Sequence, residues 1–217
     1  MKLILASSSP RRIDIMNIMS NNYTVMPSKI EDSLILSSTV RINTMVSAFM
    51  KAQDVFEQAI AKNIAPNNEL VVIGADTVVS IGDFQFGKPK NENDSFKMLK
   101  SLSGKSHEVT TGYAIISSNS KYVDCVSTKV EFKALDDDTI KKYIESKEGI
   151  DKAGSYAIQG LGSVLIKKIE GDYDNVVGLP ISAIYDKLKE KFKIDLLSAE
   201  VWYDKKRSHK SSNGGWF

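Results

Sequence analysis

The chain has 217 residues, 42% of them hydrophobic and 26% charged, with a formal net charge of +2. That balance excludes a disordered chain, allows a sizeable core, and argues against a nucleic-acid partner. One cysteine, Cys125, excludes an internal disulfide framework, and with only His107 and His209 beside it a zinc site is not expected.

Residues 2–6 read as a short first strand, too short an apolar run for a signal-peptide core. No stretch approaches the ~18 apolar residues of a membrane span, so a cytoplasmic protein is expected. Ser7, Ser8 and Ser9 followed by Pro10 read as a helix start, with serine at the cap and proline at the first helical position. That helix runs to about residue 19, and a second strand follows at 23–26. Ser37 or Ser38 caps a long helix reaching about residue 61, with Ile42, Met45, Val46, Phe49, Ala52, Phe56, Ala59 and Ile60 in one apolar stripe.

Residues 70–80, LVVIGADTVVS, form the strand around which the chain is organised. A short apolar run rich in β-branched residues reads as buried strand. Asp76 in its middle is costly there unless paired, protonated or bound to a metal. Gly74 and Ala75 leave room for another backbone or a ligand to come close.

Gly82 marks a turn into a returning strand at 84–87. Asn91 or Asn93 caps a helix to about residue 102, ended by Gly104. Residues 107–117 and 122–132 alternate as strands about a Ser118-Asn119-Ser120 turn. A helix opened by three acids covers 136–145. Residues 149–171 are glycine-rich, with a strand at 164–169. Residues 172–180 read as a loop, 181–192 as a last helix, and the chain past about 198 as a polar, basic tail. Alternating strands and helices followed by hairpins predict an α/β fold, a mixed sheet with helices on its faces, opened into two lobes.

Several residues suit phosphate chemistry. The serine loop and helix start offer free N–H groups at a positive dipole end, and Arg11 and Arg12 carry forked donors that match phosphate oxygens. The alternative is a capped helix with two solvated arginines. Asp76, followed by Thr77, could hold a divalent cation or take a proton from water. Pro89 restricts Lys88 to extended backbone, which aims its ammonium. Lys51 on the long helix is ambiguous, and Glu31 and Asp32 either join Asp76 at a metal or form a solvated turn. Gln159 lies among Gly154, Gly160 and Gly162, and its amide has the donor and acceptor that the edge of uracil or thymine requires. In the 171–180 stretch, GDYDNVVGLP, Asp172, Asn175 and the glycines make a shaped loop that reads mostly as structure, with phosphate or metal contact as the alternative.

In order along the chain, ASSSPRR, AFMKA, GADTVV, GKP, LSGKSHEVTTG, DKAGSYAIQGLGS and GDYDNVVGLP resemble the motifs of the Maf family of nucleotide pyrophosphatases, over about residues 3–197. The resemblance implies a Maf/inosine-triphosphatase-like fold: an elongated twisted mixed sheet with flanking helices and a deep cleft between two lobes. It implies hydrolysis of a nucleoside triphosphate between the α- and β-phosphates, with Mg²⁺ or Mn²⁺. Gln159 in YAIQG looks like the dTTP/UTP branch, since the 7-methyl-GTP branch carries glutamate there. Asp76 matches the family's proton acceptor. Arg11, Thr77 and Gln159 match its substrate-specificity positions, and Ser7, Arg12, Lys51 and Lys88 its phosphate-handling positions. The family's Asp-Glu pair stands reversed as Glu31-Asp32, which joins Asp76 as a metal candidate. Family members are often homodimers. Residues 198–217 have no family counterpart. The rival reading is a non-catalytic, nucleotide-sensing regulator of cell division; the presence of Asp76 and Lys88 favours the enzyme.

Overall fold

A computed structural model describes residues 1–20, 22–30 and 39–197. Glu31, Asp32, the cap candidates Ser37 and Ser38, and the tail from Ser198 lie outside the described residues. The elements are β1 (Lys2–Leu5), α1 (Pro10–Met19), β2 (Thr24–Val25), α2 (Val40–Ala61), β3 (Leu70–Ile81), β4 (Phe84–Phe86), α3 (Glu92–Leu102), β5 (Ser106–Ile116), β6 (Lys121–Phe132), α4 (Asp137–Glu145), β7 (Ile166–Glu170), α5 (Tyr173–Val177) and α6 (Ile181–Phe192). The strands make one sheet in the order β2-β1-β3-β5-β6-β7, with β4 also on β3. β1 runs parallel to β2 and β3, and every other pairing is antiparallel, so the sheet is mixed as expected.

The middle of β3 is unusual. One edge pairs with β5 without interruption from Val72 to Ser80. On the other edge β1 stops at the Leu5–Ile73 pair, and β4 begins only at Val79. Residues 74–78 therefore have no strand neighbour on that side, and their backbone groups need other partners. The gap also divides the packing. At one end of the sheet Val71, Ile73 and Ala75 face a core with Ile15, Met16, Leu179, Ile184 and Leu188, while Leu70 and Val72 face α2 through Ala48, Ala52 and Val55. At the other end Val79, Phe86, Leu99, Val130, Phe132 and Ile140 form a third core.

The room at Gly74 is taken by a helix backbone. A Cβ there would lie 2.4 Å from the Ala48 carbonyl oxygen, and one on Gly112, which pairs with Asp76, would lie 2.3 Å from the Thr44 carbonyl oxygen. No side chain fits at either place, so α2 crosses β3 and β5 at van der Waals contact.

Two local expectations change. Residues 172–180 are not a loop throughout. Asp172 accepts hydrogen bonds from the N–H groups of Asp174 (2.8 Å) and Asn175 (3.2 Å) and so caps α5. The strand expected from 164 starts at Ile166, because Gly160–Leu165 coil into a 3-10 turn.

His107 is buried in the third core, edge-on to Phe132 and Tyr156, with Nε2 hydrogen-bonded to the Tyr156 hydroxyl at 2.7 Å. Nδ1 has no partner among the described residues. Burial lowers the imidazole pKa from 6.5 to about 4. The unfolded chain then binds a proton below pH 6.5 that the folded protein refuses until about pH 4. Stability is therefore full above that window and falls as pH drops through it, by roughly 3 kcal/mol in all. Urea unfolding between pH 7.5 and 4.5 should show this slope, and a His107→Phe variant should show a shallower one.

Candidate active site

Side chains alternate across β3, so the adjacent Asp76 and Thr77 face opposite sides. Thr77 shares a face with Ala75 and meets α1. Asp76 shares a face with Gly74 and meets α2.

On the first side Arg12 fills the gap in the sheet edge. Its Nη1 donates to the Ala75 carbonyl at 2.9 Å and to Ser7 Oγ at 3.4 Å. Nη2 donates to Thr77 Oγ1 at 3.0 Å, and Nε donates to the Gly178 carbonyl at 2.7 Å. α1 starts in register for this because Ser9 sits at its cap position and Pro10 at its first position, as the sequence predicts. The cap is not the expected one: the Ser9 side chain makes no cap bond, and its N–H donates instead to Ser7 Oγ at 3.2 Å.

On the second side Lys51 Nζ donates to Asp76 Oδ1 at 2.7 Å. The side chains are only 7% and 13% exposed, so this is a buried ion pair. It forms because Lys51 lies one turn beyond Ala48, where Gly74 admits the helix. Among the described residues Asp76 Oδ2 accepts no hydrogen bond, which leaves one carboxylate oxygen for water or a ligand.

The remaining candidates lie elsewhere. Arg11 is half-buried. Burial lowers its guanidinium pKa, opposed by Asp151 first and then by Tyr143, Glu148 and Tyr173. Three of those four neighbours lie in the 143–151 segment, so Arg11 faces the opposite half from Arg12. Lys88 is exposed between β4 and α3, next to Gly87, whose carbonyl accepts the Gly154 N–H at 3.1 Å. Gln159 is exposed on extended backbone before the left-handed Gly160. Its amide makes no hydrogen bond to the described residues. The structure thus joins Ser7, Arg12 and Thr77 in one contact set and Lys51 with Asp76 in another. Among the described residues none of these side chains is hydrogen-bonded to Arg11 or Gln159.

Sequence reasoning missed the layer beneath. Thr77 Oγ1 lies 2.9 Å from Thr111 Oγ1, which donates to the Asn175 carbonyl at 2.9 Å. Because Thr111 spends its one hydroxyl proton on the Asn175 carbonyl, Thr77 is the donor to Thr111, and the chain has a single direction. Asn175 is fully buried. Its Oδ1 accepts from the Thr111 N–H, and its Nδ2 donates to the Val109 carbonyl and to Thr128 Oγ1, both at 2.9 Å. The signal available was a polar residue directly before the apolar pair of NVVGLP, too common a pattern to single out.

Among the described residues no group of three histidine, cysteine or acidic side chains could hold a metal. The arrangement is a mixed α/β sheet with one largely buried acid, Asp76, held by Lys51 on one face, and Arg12 filling the break in the strand edge on the other. A family model described as "Maf-like protein" matches residues 2–191, and the chain belongs to that family. It is 45% identical to the dTTP/UTP pyrophosphatase of Thermoanaerobacter sp. (strain X514), over 91% of this chain and 100% of that protein. It is 44% identical to the protein of the same name from Thermococcus kodakarensis, over 87% and 95%, and 41% identical to that from Clostridioides difficile (strain 630), over 90% and 98%.

Replacing Asn175 by alanine leaves the Thr111 N–H and the Val109 carbonyl buried without this partner. Asn175→Ala should cost roughly 3 kcal/mol of stability by urea unfolding, and a loss below about 1 kcal/mol would mean that water replaces the amide.

Proposed function

We propose that the protein hydrolyses nucleoside triphosphates, dTTP and UTP foremost, between the α- and β-phosphates, giving the monophosphate and pyrophosphate. The observation that carries this reading is the near-full-length likeness to proteins named dTTP/UTP pyrophosphatase. The buried Lys51–Asp76 pair at the break in the sheet suits such chemistry. Residues 1–197 act as one catalytic unit of two lobes, in the cytoplasm, on the nucleotide pool.

Asp76 takes the proton from the attacking water on Oδ2, while Lys51 holds Oδ1 and fixes the carboxylate plane. Arg11, Lys88 and the N–H groups opening α1 offset the charge that grows on the pyrophosphate leaving group. Arg12 adds its charge from a fixed position, since its fork is engaged by the protein. Thr77 acts from the same set, by orienting Arg12. Gln159 reads the pyrimidine edge with its paired donor and acceptor.

The donor set fits a divalent cation that shares its coordination with the substrate. The described residues would offer Asp76 Oδ2 as one oxygen ligand, in which case that oxygen holds the ion instead of taking the water's proton; Mg²⁺ is commonly held by one or two carboxylates with phosphate oxygens and water. When bound, such an ion supplies charge neutralisation and a more acidic water.

Pyrophosphate release from UTP and dTTP with Mg²⁺ tests the reading. Asp76→Asn should bind nucleotide yet lose about 10²–10⁴ in turnover. Near-normal release by that variant removes Asp76 from the mechanism, and orthophosphate as the first product from the wild type overturns the reaction class. Gln159→Glu should lose its preference for UTP and dTTP, and an unchanged substrate profile would mean that Gln159 does not read the base.

A further inference from the structure

The loop that presents Gln159 is held at two backbone points, one on each side of it. The Ala157 N–H donates to Tyr143 Oη at 3.0 Å. The Gly162 N–H donates to Glu148 Oε2 at 3.1 Å. Both acceptors come from one short stretch, the last turns of α4 and the turn that follows. The fit is close enough to demand glycine. A Cβ at residue 160 would lie 2.1 Å from Glu148 Oε1, and one at 162 would lie 3.1 Å from Tyr143 Oη and 2.0 Å from the Ala157 carbonyl oxygen. Gly160 also has a φ of +64°, a conformation that side chains rarely adopt. The Glu148 carboxylate is thus seated directly beneath the loop, half-buried.

Glu148 and Tyr143 are also both among the groups that act electrostatically on Arg11.

An exposed amide reads a base only if it is already held in place. A free loop would have to be ordered on binding, and that ordering weakens the selectivity it confers. We propose that Glu148 is a positioning residue for base recognition: it anchors the loop that carries Gln159. This rests on the reading of Gln159 as the residue that meets the pyrimidine. Tyr143 holds the other end of the same loop, but its hydroxyl sits in the third core, so Glu148 is the cleaner position to test.

The experiment compares Glu148→Ala and Glu148→Gln. Glutamine keeps an oxygen acceptor for the Gly162 N–H and removes the charge. Alanine removes both. Steady-state pyrophosphate release is measured with UTP, dTTP and ATP. Binding of UTP and ATP is measured by calorimetry with the same substitutions added to Asp76→Asn. Glu148→Ala should raise KM for UTP and dTTP about tenfold, the size of one lost hydrogen bond to a charged acceptor, with kcat and the ATP constants within about threefold of wild type. Glu148→Gln should return the UTP-to-ATP ratio to within about threefold of wild type.

An equal loss on all three nucleotides would show a merely structural role and overturn the proposal. So would an unchanged UTP-to-ATP ratio in Glu148→Ala. A glutamine variant as poor as alanine would assign the effect to charge at Arg11 rather than to the loop anchor, and would overturn it as well. Failure of the enzymatic reading is a separate result: the wild type would then release no pyrophosphate, while the calorimetric ratio would still decide the role of Glu148.

Discussion

The break in the edge of β3 is the constraint on which the site depends. A strand that loses its neighbour mid-length exposes carbonyl and N–H groups inside a folded domain, and these must be satisfied. Here a guanidinium takes the place of a strand. Arg12 reaches the Ala75 carbonyl and the Thr77 hydroxyl along β3 and the Gly178 carbonyl across it. One side chain thereby ties α1, the central strand and the segment after α5 together. The same break leaves Asp76 on a strand that is paired on one edge only.

The opposite face of β3 is built by subtraction. Gly74 and Gly112 remove the two side chains that would hold α2 away, and the helix brings Lys51 down onto Asp76. Burying both charges costs several kcal/mol per ion, which their attraction only partly offsets, so a pair of this kind is poor evidence of selection for stability. An apolar pair of similar volume would serve the core as well. What the apolar pair could not do is hold an ionised carboxylate with one oxygen fixed and the other open. The geometry therefore argues for retention on chemical grounds, and it explains why room was left in an otherwise continuous apolar strand.

Most of the architecture was readable because it rests on local signals. The β-branched run of β3, the Ser-Pro start of α1, the Asn91 cap of α3 and the alternation of β5 and β6 each follow from a short pattern, and the structure has all four. The space beside Asp76 was readable too, though not its occupant, because a glycine advertises a close approach without naming the partner. What stayed hidden is non-local. Arg12 and Gly178 are far apart in the chain, as are Thr111 and Asn175, and no periodicity couples them. The helix at Tyr173–Val177 was lost for the converse reason. It is a single turn and a half beside two glycines, so turn composition outweighed the cap signal of Asp172.

Adjacent residues on a helix point about 100° apart, and the two arginines of SSSPRR show what that does to a motif. As a string, Arg11 and Arg12 look like a doubled cation for one anion. On α1 they part. Arg12 turns to β3 and is consumed by backbone carbonyls, so its charge is fixed whether or not a substrate is present. Arg11 turns away from β3, toward the charges of Asp151, Tyr143 and Glu148, and its guanidinium donates no hydrogen bond to the described residues. A fixed cation preorganises the electrostatic field, and a cation with unspent donors can follow an incoming anion. The pair thus supplies both properties from a single turn of helix. Glu148 and Tyr143, which act on Arg11, also accept hydrogen bonds from the segment that carries Gln159, so one short stretch of chain links the two positions.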